Sequence, residues 1–109
     1  MRTYRVLVTG QFAHLAPAVR EQLRDRQAEH DLLLTAFTAE GTFTYSHSLT
    51  RFTLRYLLEI SEGSAAEADE AALIEGELLA TQFLQSEGIA HKPLAISAVC
   101  MDDVKIKRR

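Results

Sequence analysis

Tyr45 and His47 are the residue pair best suited to chemistry, and they lie two positions apart in the run Thr42–His47. Residues two apart on a strand point to the same face, so these two side chains would share one face. A phenol beside an imidazole can polarise or deprotonate a bound molecule, as an acid–base enzyme requires. The favoured interpretation is structural: the pair lies at a half-buried hairpin end, where the imidazole is solvated. Tyr45 and His47 are the candidate catalytic residues.

Arg55 is the second residue with chemical potential, because it falls in the middle of the apolar strand pattern Phe52–Ile60. A guanidinium on a largely apolar face needs a carboxylate or an anionic ligand as its partner. Glu59, four positions along the same face, is the favoured structural partner, and anion binding is the alternative. The expected ligand-binding residues are Arg55, Phe37 and Leu57.

The sequence holds no strong motif for a metal, a phosphate loop or a catalytic serine. The four histidines have no second ligand at a zinc spacing; they are His14, His30, His47 and His91. The five glycines are scattered, with no phosphate-binding pattern. Cys100 alternates with Ile96 and Ala98 in a strand pattern, which indicates core packing. We therefore expect no metal and no cofactor.

The elements that position these residues follow from periodicity and turn signals. A two-residue apolar period or a β-like composition predicts strands at Tyr4–Gly10, Asp31–Thr38, Thr42–His47, Phe52–Ile60 and Leu94–Val104. Gly41 predicts a tight turn and 46–50 a second turn or bulge. Helices are predicted from Pro17 to Glu29 and, after an N-cap at Ser64, to about Glu87.

The second predicted helix carries the clearest signals. Ser64 followed by Glu67 matches a capping box. The expected sheet-facing side of this helix consists of Ala72, Gly76, Leu79 and Phe83, widened by Leu73, Ala80 and Leu84. Gly76 is unfavourable in a helix interior, so we expect it to permit close contact with the sheet.

The order of elements is β-α-β-β-β-α-β, or β-α-β-β-α-β if the middle strands form one ribbon. Two helical crossovers around a β-ribbon predict an α+β fold, a ferredoxin-like sandwich with a mostly antiparallel sheet of four to five strands. Right-handed crossovers would place both helices on one face. Residues 1–104 form the single expected domain, and residues 105–109 form a basic C-terminal tail.

One face of the predicted sheet lacks helices and is nevertheless apolar. The expected core positions are Val6, Val8, Leu32, Leu34, Phe52, Leu54, Tyr56 and Leu58. The apolar residues at the alternate strand positions, which point to the opposite face, are Leu7, Leu33, Phe37, Leu57, Val99 and Met101. Contiguous exposed apolar surface usually marks an interface or a ligand site. We therefore expect a homodimer joined through this face, with or without a pocket for a small apolar or anionic molecule near Arg55, with Tyr45 and His47 at one rim.

Two functions fit this expectation. The first is a non-catalytic binding or assembly module. The alternative is a cofactor-free acid–base enzyme, such as an isomerase, cyclase or oxygenase-like protein, that uses the same pocket. Fold class alone does not separate them. The absence of a strong catalytic constellation favours the first.

Charge and composition narrow the partners. The chain carries 12 basic and 15 acidic residues, and four of the basic ones lie in the tail. An acidic body repels phosphate backbones, so no nucleic-acid partner is expected. No apolar run approaches membrane-spanning length, and no signal peptide is evident, so we expect a cytoplasmic protein with no membrane contact.

A family resemblance covers nearly the whole chain. The run Ala36-Phe37-Thr38-Ala39-Glu40-Gly41-Thr42-Phe43-Thr44-Tyr45, followed by Leu49 and Phe52-Thr53-Leu54-Arg55, resembles the signature of a small actinobacterial family of unknown function. The opening Met1-Arg2-Thr3-Tyr4-Arg5-Val6 and the basic end also fit. The resemblance implies a stand-alone bacterial cytoplasmic domain and brings no catalytic residues.

Overall fold

The computed structural model describes residues 2–27, 36–61 and 63–101. Its strands and helices follow one another as β1 (Arg2–Gln11), α1 (Pro17–Asp25), β2 (Thr42–Tyr45), β3 (Arg51–Ile60), α2 (Ala65–Ser86) and β4 (Ala95–Cys100). Within the described residues the order is therefore β-α-β-β-α-β, the shorter of the two predicted orders.

The four described strands form one antiparallel sheet in the order β2-β3-β1-β4. The central strand β1 pairs on both sides, so that Val6 lies opposite Tyr56 on β3 and opposite Ala98 on β4. The edge strand β2 pairs Phe43 with Leu54. The predicted α+β class is confirmed, whereas the narrower ferredoxin-like assignment stays a prediction.

Cross-strand pairs share a face, so the register defines the two faces of the sheet. One face carries the buried core; its buried strand residues are Tyr4, Val6, Val8, Phe43, Tyr45, Phe52, Leu54, Tyr56, Ile60 and Cys100. The predicted core is confirmed at five positions, namely Val6, Val8, Phe52, Leu54 and Tyr56. Leu58 packs against this core while partly buried. The predictions at Leu32 and Leu34 lie outside the described residues.

Helix α2 begins with the predicted capping box. The Ser64 hydroxyl accepts the Glu67 N–H at 3.1 Å, and the Glu67 carboxylate accepts the Ser64 N–H at 3.1 Å. The helix then packs on the core face through small residues every fourth position, ending in a leucine; the buried positions are Ala68, Ala72, Gly76, Ala80 and Leu84. Because these side chains are small, the backbone of α2 comes close to the sheet.

This close approach makes the buried side of α2 narrow. Leu79 and Phe83 remain partly buried beside it, as predicted. The prediction for Leu73 was wrong, because its side chain is 38% exposed. Successive residues of an α-helix are rotated by about 100°, so the Leu73 side chain points away from the sheet that its neighbour Ala72 contacts.

Helix α1 lies on the same side of the sheet as α2. It begins at Pro17 as predicted but ends at Asp25, short of the predicted Glu29, which lies outside the described residues. Leu23 is its one buried residue and joins the same core. An exposed Arg26–Glu87 ion pair of 3.7 Å joins the residues that follow the two helices. The prediction of two helices on one face is confirmed.

Several predicted strand boundaries differ from the structure. Of the strand predicted at Asp31–Thr38, residues 31–35 lie outside the described part, and Thr38 forms only an isolated bridge to Tyr56. Strand β2 ends at Tyr45, since the chain turns over residues 46–50 as predicted. Strand β4 ends at Cys100, and residues 102–104 of its predicted extension lie outside the described part.

Candidate functional site

The sheet face opposite the helices, here the helix-free face, is more basic than the chain as a whole. By register, the described strands place three arginines and one glutamate on this face among polar and apolar residues: Thr3, Arg5, Leu7, Thr9, Gln11, Thr42, Thr44, Arg51, Thr53, Arg55, Leu57, Glu59, Ala95, Ser97 and Val99. The whole chain has a net charge of −3. The charge of these strand side chains therefore favours an anion over a cation.

A cavity of about 280 Å3 opens on this face and is named here the Phe37 cavity. Its lining residues are Arg5, Leu7, Phe37, Ser97, Val99 and Met101. Strands β1 and β4 form its floor, because Leu7 and Ser97 are direct cross-strand partners. The apolar residues predicted for this face at Leu7, Phe37, Val99 and Met101 are thus brought together.

Phe37 reaches the cavity because its neighbour Thr38 is held against the edge of β3. The Thr38 carbonyl accepts the Leu57 N–H at 2.8 Å and the Gly41 N–H at 3.2 Å. Gly41 adopts a left-handed conformation with φ 93° at this turn, as its type predicts. These bonds anchor the segment that presents the Phe37 ring as a wall.

Arg5 supplies the positive charge of the cavity. Its guanidinium carbon lies 5.4 Å from the centroid of the Phe37 ring, within the range of a cation–π contact. A guanidinium stacked on a ring still carries N–H donors in its own plane, which suit a carboxylate. Sequence reasoning missed Arg5, although its alternation with Val6 and Val8 already placed it on the same face as Arg55.

Arg55 lies on the helix-free face as predicted, but it does not line the Phe37 cavity. Its Nη1 donates to the buried hydroxyl of Thr44 at 3.1 Å, toward the β2 edge. Burial lowers the pKa of the Arg55 guanidinium. Glu59 was the favoured partner, but the described residues show no ion pair between Arg55 and Glu59, whose Cα atoms lie about 13 Å apart along the strand. The structure thus gives Arg55 a neutral partner in place of a carboxylate.

Leu57 lies beside the cavity without lining it. It is the direct cross-strand partner of Arg5 and is 37% exposed. Leu57 therefore extends the apolar surface around the mouth of the Phe37 cavity toward β3.

Tyr45 and His47 lie away from this cavity. Tyr45 is buried on the core face, where its hydroxyl donates to the Leu23 carbonyl of α1. His47 is exposed in the turn after β2, and its carbonyl accepts a hydrogen bond from Gln27 Nε2 at 3.1 Å. The structure does not bring this pair to Arg55, because Tyr45 and Arg55 occupy opposite faces of the sheet.

Cys100 is buried at the end of β4, as predicted, and its sulfur lies 3.9 Å from Arg2 Nη1. Among the described residues, no three histidine, cysteine or acidic side chains come together as a metal site would require. In the same part of the chain, neither helix has the length and apolar character needed to cross a membrane.

The whole sequence matches a known protein family. The sequence pattern of a family described as Family of unknown function (DUF6204) matches residues 1–109. The chain belongs to this family. The membership confirms the resemblance to a family of unknown function, and the DUF6204 description assigns no activity. No curated protein matches the chain. No solved structure matches it either.

Proposed function

We propose that this DUF6204 protein is a binding module for a small anionic molecule with an apolar body, and that it acts as a homodimer through its helix-free face. The observation that carries the proposal is the meeting of the Arg5 guanidinium and the Phe37 ring in one cavity. A site of this kind offers an apolar wall and an oriented pair of donors within reach of one ligand.

The chemistry of the Phe37 cavity suits an aromatic carboxylate. Leu7, Val99 and Met101 contact the apolar body, and Arg5 donates to the carboxylate oxygens in its plane. A volume of about 280 Å3 falls just below the usual range for drug-sized ligands, so one or two rings are the expected size.

The dimer proposal rests on the apolar residues that remain exposed around the cavity. Val99 is 52% exposed and Leu57 is 37% exposed. A second copy seated on this face would cover both side chains and close the cavity over its ligand. Removing such residues from water is the main favourable term in protein association.

The alternative of an acid–base enzyme gains no support from the arrangement. The hydroxyl of Tyr45 is engaged by the backbone of α1, and His47 lies in a solvated turn. Neither group is within the Phe37 cavity. The binding module is therefore the function that we carry forward.

Titration with 2-naphthoate, followed by its fluorescence, tests the proposal. We expect wild-type protein to bind 2-naphthoate and to bind the neutral 2-naphthylmethanol at least about tenfold more weakly, since the alcohol lacks the charge-assisted bonds. Arg5→Met and Phe37→Ala should each weaken naphthoate binding by a similar factor.

Arg55→Met is the matched control, because it removes a guanidinium from the same face outside the cavity. We expect it to leave naphthoate affinity unchanged. If Arg55→Met abolishes binding while Arg5→Met does not, the partner of the anion is Arg55 and the Arg5 assignment is wrong. Absence of naphthoate binding to wild-type protein would contradict the binding module itself.

A further inference from the structure

A second concave surface lies on the helix-free face, beyond the Phe37 cavity along β1 and β4. This groove of about 530 Å3, here the Arg51 groove, is lined by five polar residues and by Gly10, Phe52, Pro93 and Ala95. The polar lining residues are Thr9, Gln11, Arg51, Thr53 and Lys92.

The fold brings the two cations of the groove together from distant parts of the chain. Arg51 is the cross-strand partner of Gln11. The N–H of Lys92 donates to the Gln11 carbonyl at 2.9 Å, which fixes Lys92 on the other side of the same residue. In the described part of the chain, neither cation forms an ion pair with a carboxylate, so the groove is a site of net positive charge.

Two hydroxyl groups complete the set of donors. Thr9 and Thr53 are cross-strand partners on the floor of the groove. Over residues 2–27, 36–61 and 63–101, neither hydroxyl has a hydrogen-bond partner. A guanidinium, an ammonium and two hydroxyls around one space match the several acceptor oxygens and double charge of a phosphoryl group.

The groove and the Phe37 cavity share one continuous floor. Leu7 pairs with Ser97 in the cavity, and the next pair on this face, Thr9 with Ala95, lines the groove. Successive pairs on one face are about 7 Å apart, so both sites lie within reach of a single elongated molecule.

We propose that the Arg51 groove is an oxyanion subsite for a phosphoryl group, carried by a ligand whose apolar body lies in the Phe37 cavity. The placement of the apolar body in the Phe37 cavity rests on the proposed function, whereas the oxyanion subsite does not. The ligand class is a small organic phosphate with an aromatic body, on which a carboxylate would meet Arg5.

Titration of ¹⁵N-labelled protein with inorganic phosphate at constant ionic strength tests the groove alone. We expect the amide resonances of Thr9, Thr53 and Lys92 to shift in a saturable manner. Arg51→Gln and Lys92→Gln should each weaken phosphate binding about tenfold, because each removes a charge-assisted hydrogen bond. Arg24→Gln, which removes an exposed cation from α1, should not. Unchanged resonances, or an equal effect of Arg24→Gln, would overturn the oxyanion subsite and leave the naphthoate test standing.

Titration with 4-phenylbutyl phosphate tests the shared ligand. We expect it to bind at least about tenfold more tightly than inorganic phosphate, because its ring and methylenes leave water. Phe37→Ala should abolish this advantage without changing the affinity for inorganic phosphate. If 4-phenylbutyl phosphate and inorganic phosphate bind equally well to wild-type protein, the shared ligand is wrong.

Discussion

Tyr4 shows how a single buried group links this fold to pH. Its side chain is 1% exposed on the core face, and its hydroxyl donates to a carboxylate oxygen of Asp69 on α2. Burial, and then the hydrogen bond to Asp69, raise the pKa of the Tyr4 phenol. Burial also raises the pKa of Tyr56. Both groups therefore keep their protons in the folded state at pH values where the unfolded chain begins to lose them.

This linkage predicts a loss of stability in alkali. An unfolded tyrosine titrates near pH 10, so the stability contributed by neutral Tyr4 is complete below that pH and falls above it. Urea unfolding measured from about pH 8 to about pH 11 should show a declining free energy of unfolding for wild-type protein. Each tyrosine contributes a slope of up to about 1.4 kcal/mol per pH unit. Tyr4→Phe should be less stable at neutral pH but show a shallower decline. Parallel pH curves for the two proteins would contradict the role of Tyr4.

At the scale of elements, the contact of α2 with the sheet depends on the absence of a side chain at Gly76. A β-carbon built at Gly76 would lie 2.5 Å from Cγ1 of Val6, well inside van der Waals contact. Val6 is itself fully buried and β-branched, so it has no room to move aside. Helix propensity alone would favour alanine here, but the steric clash outweighs it.

We therefore expect Gly76→Ala to destabilise the protein by about 1–3 kcal/mol, the usual cost of overpacking, and to lower the thermal unfolding midpoint. The matched control is Gly63→Ala, since its β-carbon would make only an ordinary contact of 3.5 Å with Glu67 Oε1. Combining Gly76→Ala with Val6→Ala should cost less than the sum of the two single variants, because Val6→Ala removes the clashing methyl groups. A Gly76→Ala variant as stable as wild type would show that α2 stands further from the sheet.

Over the whole molecule, charge is divided between the two sides of the sheet. Helix α2 carries five acidic residues and no basic ones. On the helix-free face, the four described strands carry three arginines against one glutamate. Two copies joined through that face would place like charges together, which opposes association at low salt. An anion bound between the copies would offset this repulsion, so ligand binding and dimerisation should be coupled.

Sedimentation analysis tests the proposed dimer. We expect wild-type protein to dimerise at micromolar concentration, and Leu57→Lys to shift it to monomers, because a further cation would enter a basic interface without a partner. A glutamate at this position would be less informative, since Arg5 lies directly opposite and would pair with it. Leu78→Lys is the control, on the outer side of α2, where Leu78 is 49% exposed. Monomeric wild-type protein with and without 2-naphthoate would contradict the dimer.

The sequence by itself determined the local structure. Three local features were predicted correctly: the alternation in β1 and β3, the capping box at Ser64 and the turn at Gly41. Each depends on residues near one another in the chain, so it can be predicted without tertiary contacts. The apolar character of the helix-free face could be predicted too, because alternate residues of a strand point to the same face. The close approach at Gly76 was indicated as well, since a glycine inside a helix needs a compensating contact.

Only the tertiary structure decided which side chains meet. Arg5 reaches Phe37, and Arg51 lies with Lys92 around Gln11, through strand register and one loop hydrogen bond that no local pattern specifies. The same register placed Tyr45 on the core face and gave Arg55 the Thr44 hydroxyl as its partner. Parity along one strand is a local property, whereas the alignment of separate strands is set by burial of the whole core. The site is built across strands, so its residues became evident only when those strands were paired.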